Sequence, residues 1–183
     1  MVAVVILLIL ALIIVSVVIS GKNTKKKNNQ FSEQLKAANF TESKRIEIGG
    51  NILFVDDVAK QWCLKTSFNI QPKIYQYSDL NEFEVYEDGE SIAKGRVGSA
   101  LVGGVLFGVV GAVVGGARSK QISNTCTKLQ LRVRVNDLNN PEWIVNFIST
   151  KTKKDSFVYK TNFELAKKMA ATLSYIQNQT QNV

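Results

Sequence analysis

The sequence predicts an α+β protein: one N-terminal transmembrane helix, then a small antiparallel barrel with a glycine-rich apolar hairpin insertion and a C-terminal capping helix. Three observations predict it. Residues 1–20 carry no charged side chain. Several short stretches after residue 44 alternate polar and apolar between turn residues. A capping box opens an amphipathic stretch near the C-terminus.

Residues 1–20 read MVAVVILLILALIIVSVVIS. As a helix they would span ~30 Å, the thickness of a bilayer's hydrocarbon. The rival reading is a cleaved signal peptide, which needs a basic leading region, a shorter apolar core and a small-residue cleavage site. No Lys or Arg precedes the run, and Val18-Ile19-Ser20 is a weak cleavage site. No cysteine lies near the junction, so a lipoprotein anchor is excluded. Lys22, Lys25, Lys26 and Lys27 follow at once. Such a cluster is retained on the cytoplasmic side, so the expected topology is single-pass in the cell membrane, with the N-terminus out and the domain cytoplasmic. Residues 21–30, GKNTKKKNNQ, read as a polar basic linker. Its lysines are candidate contacts for anionic headgroups, at about 1 kcal/mol per charge.

The 183 residues include 23 Lys and Arg against 15 Asp and Glu, a net charge of +8. That suits a membrane surface or nucleic acid without choosing between them, and no specific nucleic-acid site is visible. There is no histidine, which removes the commonest general base and metal ligand. Cys63 and Cys126 lack CxxC spacing, so no zinc site is read and both are expected as free thiols on strands. No metal, cofactor or catalytic residue is expected, and the chain does not read as an enzyme.

Residues 30–40 could form a short helix with Phe31, Leu35 and Ala38 on one face. Strand signals follow at 44–48, 52–55, 61–64, 74–77, 83–86 and 90–94, with turns at Gly49-Gly50-Asn51, Asp56-Asp57 and Asp88-Gly89. Residues 127–135 place Leu129, Leu131, Val133 and Val135 on one face, and 143–148 alternate again. The box Thr161-Asn162-Phe163-Glu164 starts a helix running to about Gln177, with Phe163, Ala166, Ala170, Leu173 and Ile176 on one face. With neighbouring signals merged, the order reads as six or seven antiparallel strands and one helix in a single domain, 31–178, followed by a tail at 179–183. The acidic residues Asp79, Glu82, Glu84, Glu87, Asp88 and Glu90 lie mostly on one hairpin and read as a solvated face rather than a metal or acid–base site.

Residues 97–117, VGSALVGGVLFGVVGAVVGGA, are uncharged. Ala100, Gly104, Gly108, Ala112 and Gly116 recur every fourth place, and Gly103, Gly111 and Gly115 form a second row. Small residues at this spacing let helix backbones approach closely, so the segment is a candidate for membrane contact or self-association. The bland alternative is a glycine-packed hairpin lying on the domain's own surface. Arg96 and Arg118 bracket the segment as candidate headgroup contacts. A single crossing would separate strands that should share a sheet, so two short helices folded back with their ends together are expected.

The stretches ILFVDD…KQW, IYQYSDLNEFEVYEDGESIAKG, TCTKLQLRVRVNDLNNP and TKTKKDSFVYKT, with the glycine segment between them, resemble a domain of unknown function common in phage and prophage proteins of low-GC Gram-positive bacteria. The resemblance covers about 31–176. It implies a pleckstrin-homology-like (PH-like) barrel. Relatives carry a zinc ribbon or an oligomerisation motif, and this chain has neither. With its apolar N-terminus it is similar to superinfection-exclusion proteins of lactic-acid-bacterial prophages, which stop incoming phage DNA at the host membrane. The resemblance implies a lipid bilayer as partner, together with phage injection machinery or a host membrane protein, and a possible homo-oligomer. The alternative is a membrane-tethered lipid- or peptide-binding module with a general envelope role. An enzyme ranks last, since no nucleophile–base pair, P-loop or metal cluster is visible.

Overall fold

The computed structural model describes residues 2–66, 69, 71–96 and 123–180. Helix α1 spans Val2–Ala37. Ten strands follow: β1 Lys44–Ile48, β2 Asn51–Asp56, β3 Gln61–Lys65, β4 Ile74–Gln76, β5 Leu80–Glu87, β6 Glu90–Arg96, β7 Thr125–Cys126, β8 Leu129–Val135, β9 Glu142–Ile148 and β10 Thr152–Lys153. Helix α2, Phe157–Thr180, ends the described chain.

The strands form two four-stranded antiparallel sheets, ordered β1-β2-β3-β4 and β6-β5-β8-β9, and a small β10-β7 pair. This corrects the expected small antiparallel barrel: the strands do not continue from one sheet into the other. Strand β4 is three residues long and runs into a 3-10 turn, Tyr77–Asp79, so β5 enters a second sheet instead of extending the first. The two sheets share one core with α2. Leu53, Val55, Trp62 and Leu64 come from the first sheet; Phe83, Val85, Leu131 and Val133 from the second; Ala166, Met169, Ala170, Leu173 and Ile176 from α2.

The first sheet is buried on its other face as well. Ile52, Phe54 and Cys63 alternate with the core residues of β2 and β3, and pack against Phe31, Leu35 and Phe40. The end of α1 explains how Phe40 gets there. Asn39 adopts a left-handed φ of 59°. The Phe40 N–H donates to the Leu35 carbonyl and the Asn39 N–H to the Lys36 carbonyl, both at 3.0 Å. This is the Schellman arrangement, and its customary apolar contact is made here by Leu35 and Phe40. Ala38, expected on the buried face, is exposed.

The expected transmembrane helix over 1–20 is corrected too: among the described residues, no helix is long and apolar enough to cross a membrane. The apolar run is not a free-standing helix. It belongs to a 36-residue helix that passes unbroken through the polar residues 21–30. Neither proline nor a left-handed residue interrupts it there, and the Thr24 hydroxyl donates back to the Ser20 carbonyl at 3.0 Å. Docking of Phe31 and Leu35 then fixes its C-terminal half on the domain.

Helix α2 begins a turn before the expected capping box. Ser156 is the cap: its Oγ accepts the Tyr159 N–H at 3.2 Å.

Candidate functional site

The outer face of the second sheet carries the charges. Cross-strand registers put Glu82 between Arg96 and Arg134, Glu84 between Lys94 and Arg132, and Arg134 opposite Glu142. Lys94 reaches Glu82 at 3.2 Å and Glu84 at 3.6 Å, while Arg134 reaches Glu82 at 3.4 Å. The Tyr86 hydroxyl donates to Glu84 at 2.6 Å beneath the Arg132 guanidinium. Basic and acidic strands therefore alternate, and opposite charges face each other across each pair. The sequence predicts a solvated face for Glu82 and Glu84; instead Glu82 is buried, and the side chains of both are largely covered by the basic side chains that pair with them.

Other members of the acidic run hold turns. Asp79 accepts the Gln76 N–H at 2.8 Å. Asp88 Oδ1 accepts the backbone N–H groups of Thr127 at 2.7 Å and Lys128 at 2.9 Å. Burial opposes ionisation of Asp88, but these bonds and the Thr127 hydroxyl outweigh it and lower its pKa. Glu87 accepts the Tyr159 hydroxyl at 2.7 Å and pairs with Lys154. Glu87, Asp88 and Cys126 offer ligand atoms within 4.8 Å of one another. Both carboxylates are already engaged in fastening the β5–β6 turn to β7 and α2, and burial pushes the Cys126 thiol up to about 11. Asp56 is likewise a turn residue, accepting the Thr41, Val58 and Ala59 N–H groups at 2.7, 3.0 and 2.9 Å.

The proposed glycine-segment contacts Ala100, Gly103, Gly104, Gly108, Gly111, Ala112, Gly115 and Gly116, and with them Arg118, lie outside the described residues. The expected hairpin of two short helices with its ends together falls on the same segment and lies outside them too.

The remaining sequence candidates lie on α1. Lys25, Lys26 and Lys27 are exposed, and Lys22 is on the same helix. N-terminal to them Ile6, Leu7, Ile9, Leu10, Leu12 and Val15 are exposed. At 100° per residue these six point in all directions around the axis rather than along one stripe. Such a rod needs an apolar environment on every side.

Sequence reasoning missed two cations beside this helix. Arg45 lies over the Phe54 ring, 5.1 Å from its centroid, and pairs with Glu47 at 2.9 Å. Lys65 is 8% exposed, and its Nζ donates to the Gly50 carbonyl at 3.2 Å. Burial lowers the Lys65 pKa; Lys27 and Arg45 add to that, and Glu47 opposes it. Arg45 could have been found from the alternation of 44–48, which puts it on the face opposite Ile46 and Ile48. Nothing local marks Lys65.

Two sheets over one core, with a C-terminal helix across them, define a PH-like domain, here preceded by an apolar helical rod. The chain belongs to the family described as glycine zipper containing PH domain, whose family model matches residues 36–149. It is similar to the immunity protein of Bacillus phage SPbeta, at 29% identity over 52% of this chain and 48% of that protein. It is also similar to the SPbeta prophage-derived membrane protein YomJ of Bacillus subtilis, at 29% identity over 52% of this chain and 43% of that protein. The chain thus spans about half the length of these curated relatives. No solved structure matches it.

Proposed function

We propose that this is a prophage-type superinfection-immunity protein acting at the cell membrane, where it stops incoming phage DNA from entering. The observation that supports this reading best is the all-round apolar exposure of the first part of α1 on a PH-like domain whose relatives include a phage immunity protein and a prophage membrane protein. The apolar turns would hold the chain at the bilayer, with the domain on the cytoplasmic face. It would act there by occupying the place where a phage channel emerges, through contact with injection machinery, a host membrane protein or like copies. No step of catalysis is invoked.

A host expressing the protein should adsorb a susceptible phage normally, while phage DNA fails to appear inside. Phage DNA introduced by electroporation should still yield progeny, because that route bypasses the membrane step. Removing residues 1–20 should abolish protection even where the domain accumulates. Reduced adsorption, failure of electroporated DNA, or protection by the shortened chain would each overturn the reading.

A further inference from the structure

The two four-stranded sheets end on four outer strands, β1, β4, β6 and β9. An outer strand presents a row of unpaired N–H and carbonyl groups, and proteins blunt it with lysine, proline, a bulge, shortness or a covering element. Strand β4 has three residues. Strand β6 carries Lys94 and a register shift against β5. Strand β1 carries Lys44 and Arg45, and α1 packs over its sheet. Strand β9 has none of these devices over residues 142–146. It holds no lysine, arginine or proline, and its register shift against β8 falls beyond Asn146. Among the described residues, β9 pairs with β8 alone.

The ladder fixes which backbone groups are free. The Val135 N–H donates to the Pro141 carbonyl at 3.0 Å. Bonded pairs recur at every second residue of an antiparallel ladder, so Trp143 and Val145 turn their backbone groups to β8. Glu142, Ile144 and Asn146 turn theirs outward, and all three residues are exposed. Reversed about Ile144, the stretch is its own complement. Ile144 meets Ile144, and Glu142 meets Asn146 on either side. Glu142 Oε1 lies 3.6 Å from Arg134 Nε, which leaves Oε2 to accept from an amide. The Asn146 amide has no partner among the described residues. No charge faces a like charge, and an apolar pair sits at the centre.

We infer that β9 is a self-pairing edge, at which a second copy of this chain adds its own β9 antiparallel, with the two-fold axis at Ile144. Such a contact is closed, so it makes a dimer and no filament. It joins the second sheets of the two copies into one. Five residues a side fall below the roughly 1,200 Å² of a standard interface, so the copies exchange rather than lock. The pairing gives a surface to contact between like copies and does not depend on the immunity reading.

The test uses the full-length protein in mild detergent. A short bifunctional thiol cross-linker should join copies of Ile144→Cys about ten-fold more than copies of Ile92→Cys, because the paired Cα atoms would lie ~5.5 Å apart. Ile92, on β6, is 39% exposed against 40% for Ile144, so access is matched. Cys63 and Cys126 are buried and should not contribute. Capture of an untagged copy by a tagged one gives a second reading. Ile144→Lys in both copies, or Ile144→Glu in both, should lower capture about five-fold, because like charges then meet at the axis. Tagged Ile144→Lys with untagged Ile144→Glu should restore it. The exposure of Ile144 lets these substitutions spare the fold. Equal cross-linking at the two positions would overturn the pairing. Undiminished capture between Ile144→Lys copies would do the same and leave α1 or another surface holding them together. Loss in both like-charged pairs without recovery in the mixed pair would show that Ile144 faces something other than itself, and the two-fold axis would fall.

Discussion

The Trp143 indole N–H donates to the Tyr75 hydroxyl at 3.0 Å, joining β9 of one sheet to β4 of the other where no backbone ladder does. The hydroxyl in turn donates to Asp137 at 2.9 Å, and Lys73 pairs with the same carboxylate. Tyr75 also stacks on Trp62, with ring centroids 5.1 Å apart. Side chains close the seam that a true barrel would close with strands. Tyr75→Phe keeps the stacking and strands both polar partners, so it should cost about 1–2 kcal/mol in denaturant unfolding.

The seam also titrates. The Lys73 ammonium, helped by the Tyr75 hydroxyl, holds Asp137 at about 2, below its ordinary carboxylate value. A lowered native pKa favours the ionised folded form, so this contribution is complete above about pH 4 and fades as pH falls towards 2. Asp137→Asn should remove that part of the acid dependence, leaving a flatter stability profile across this window. An unchanged profile in the variant would show that the seam does not sense pH.

Gly95 precedes the glycine-rich segment but serves the core. A Cβ there would meet the Phe83 ring well inside contact distance and Gln177 Oε1 at 2.9 Å. Phe83 is fully packed and cannot swing away. Gly95→Ala should therefore lose about 1–3 kcal/mol and several degrees of melting temperature. Adding Phe83→Leu should return part of the loss. A fully stable Gly95→Ala would mean the strand shifts freely at this point.

Both thiols are sealed. Burial raises Cys63 to about 12 and Cys126 to about 11, and neither side chain is exposed. The native protein should resist a thiol reagent at neutral pH and label at both positions only on unfolding. Rapid labelling of Cys63 alone would show α1 lifting from the first sheet, since Cys63 lies beneath it.

The docking of α1 can be tested directly. Phe31 stacks against Phe54 at 5.8 Å between centroids and is 1% exposed. Phe31→Ala should cost about 3–5 kcal/mol of docking and open Lys36 to trypsin. A cleavage rate equal to that of the unmodified protein would show the helix held by other means.

Much of this architecture is written locally. Leu129, Leu131, Val133 and Val135 alternate because one face of β8 is core, and period two reports that directly. The turns at Gly49-Gly50 and Asp88-Gly89 adopt the positive φ their residues permit. Other features depend on partners distant in the chain. Strand β2 is buried on both faces, so Ile52 and Phe54 gave no alternation to betray the helix above them. The Thr161 box is the fuller motif, yet Ser156 caps α2, in a first turn that also carries the Tyr159 bond to Glu87. Whether strand edges meet is decided by pairing across the fold, so a barrel and two separate sheets look alike in hydropathy. Nothing local marks Lys65, whose ammonium lies beside the ring of Phe31 from far upstream.

An unbroken α1 makes the protein sensitive to phase. A loose linker would let the domain tumble beneath whatever holds the apolar turns. A helix fixed at Phe31 and continuous back to Val2 instead sets an azimuth, so the same side of the domain always faces the same way. Inserting one alanine among 21–27 would turn the domain by about 100° about the helix axis while lifting it only about 1.5 Å. Inserting seven would bring it almost back into phase, about 10 Å higher. Activity that oscillates with insertion length, rather than declining smoothly, would be the mark of a part that works by the direction it points.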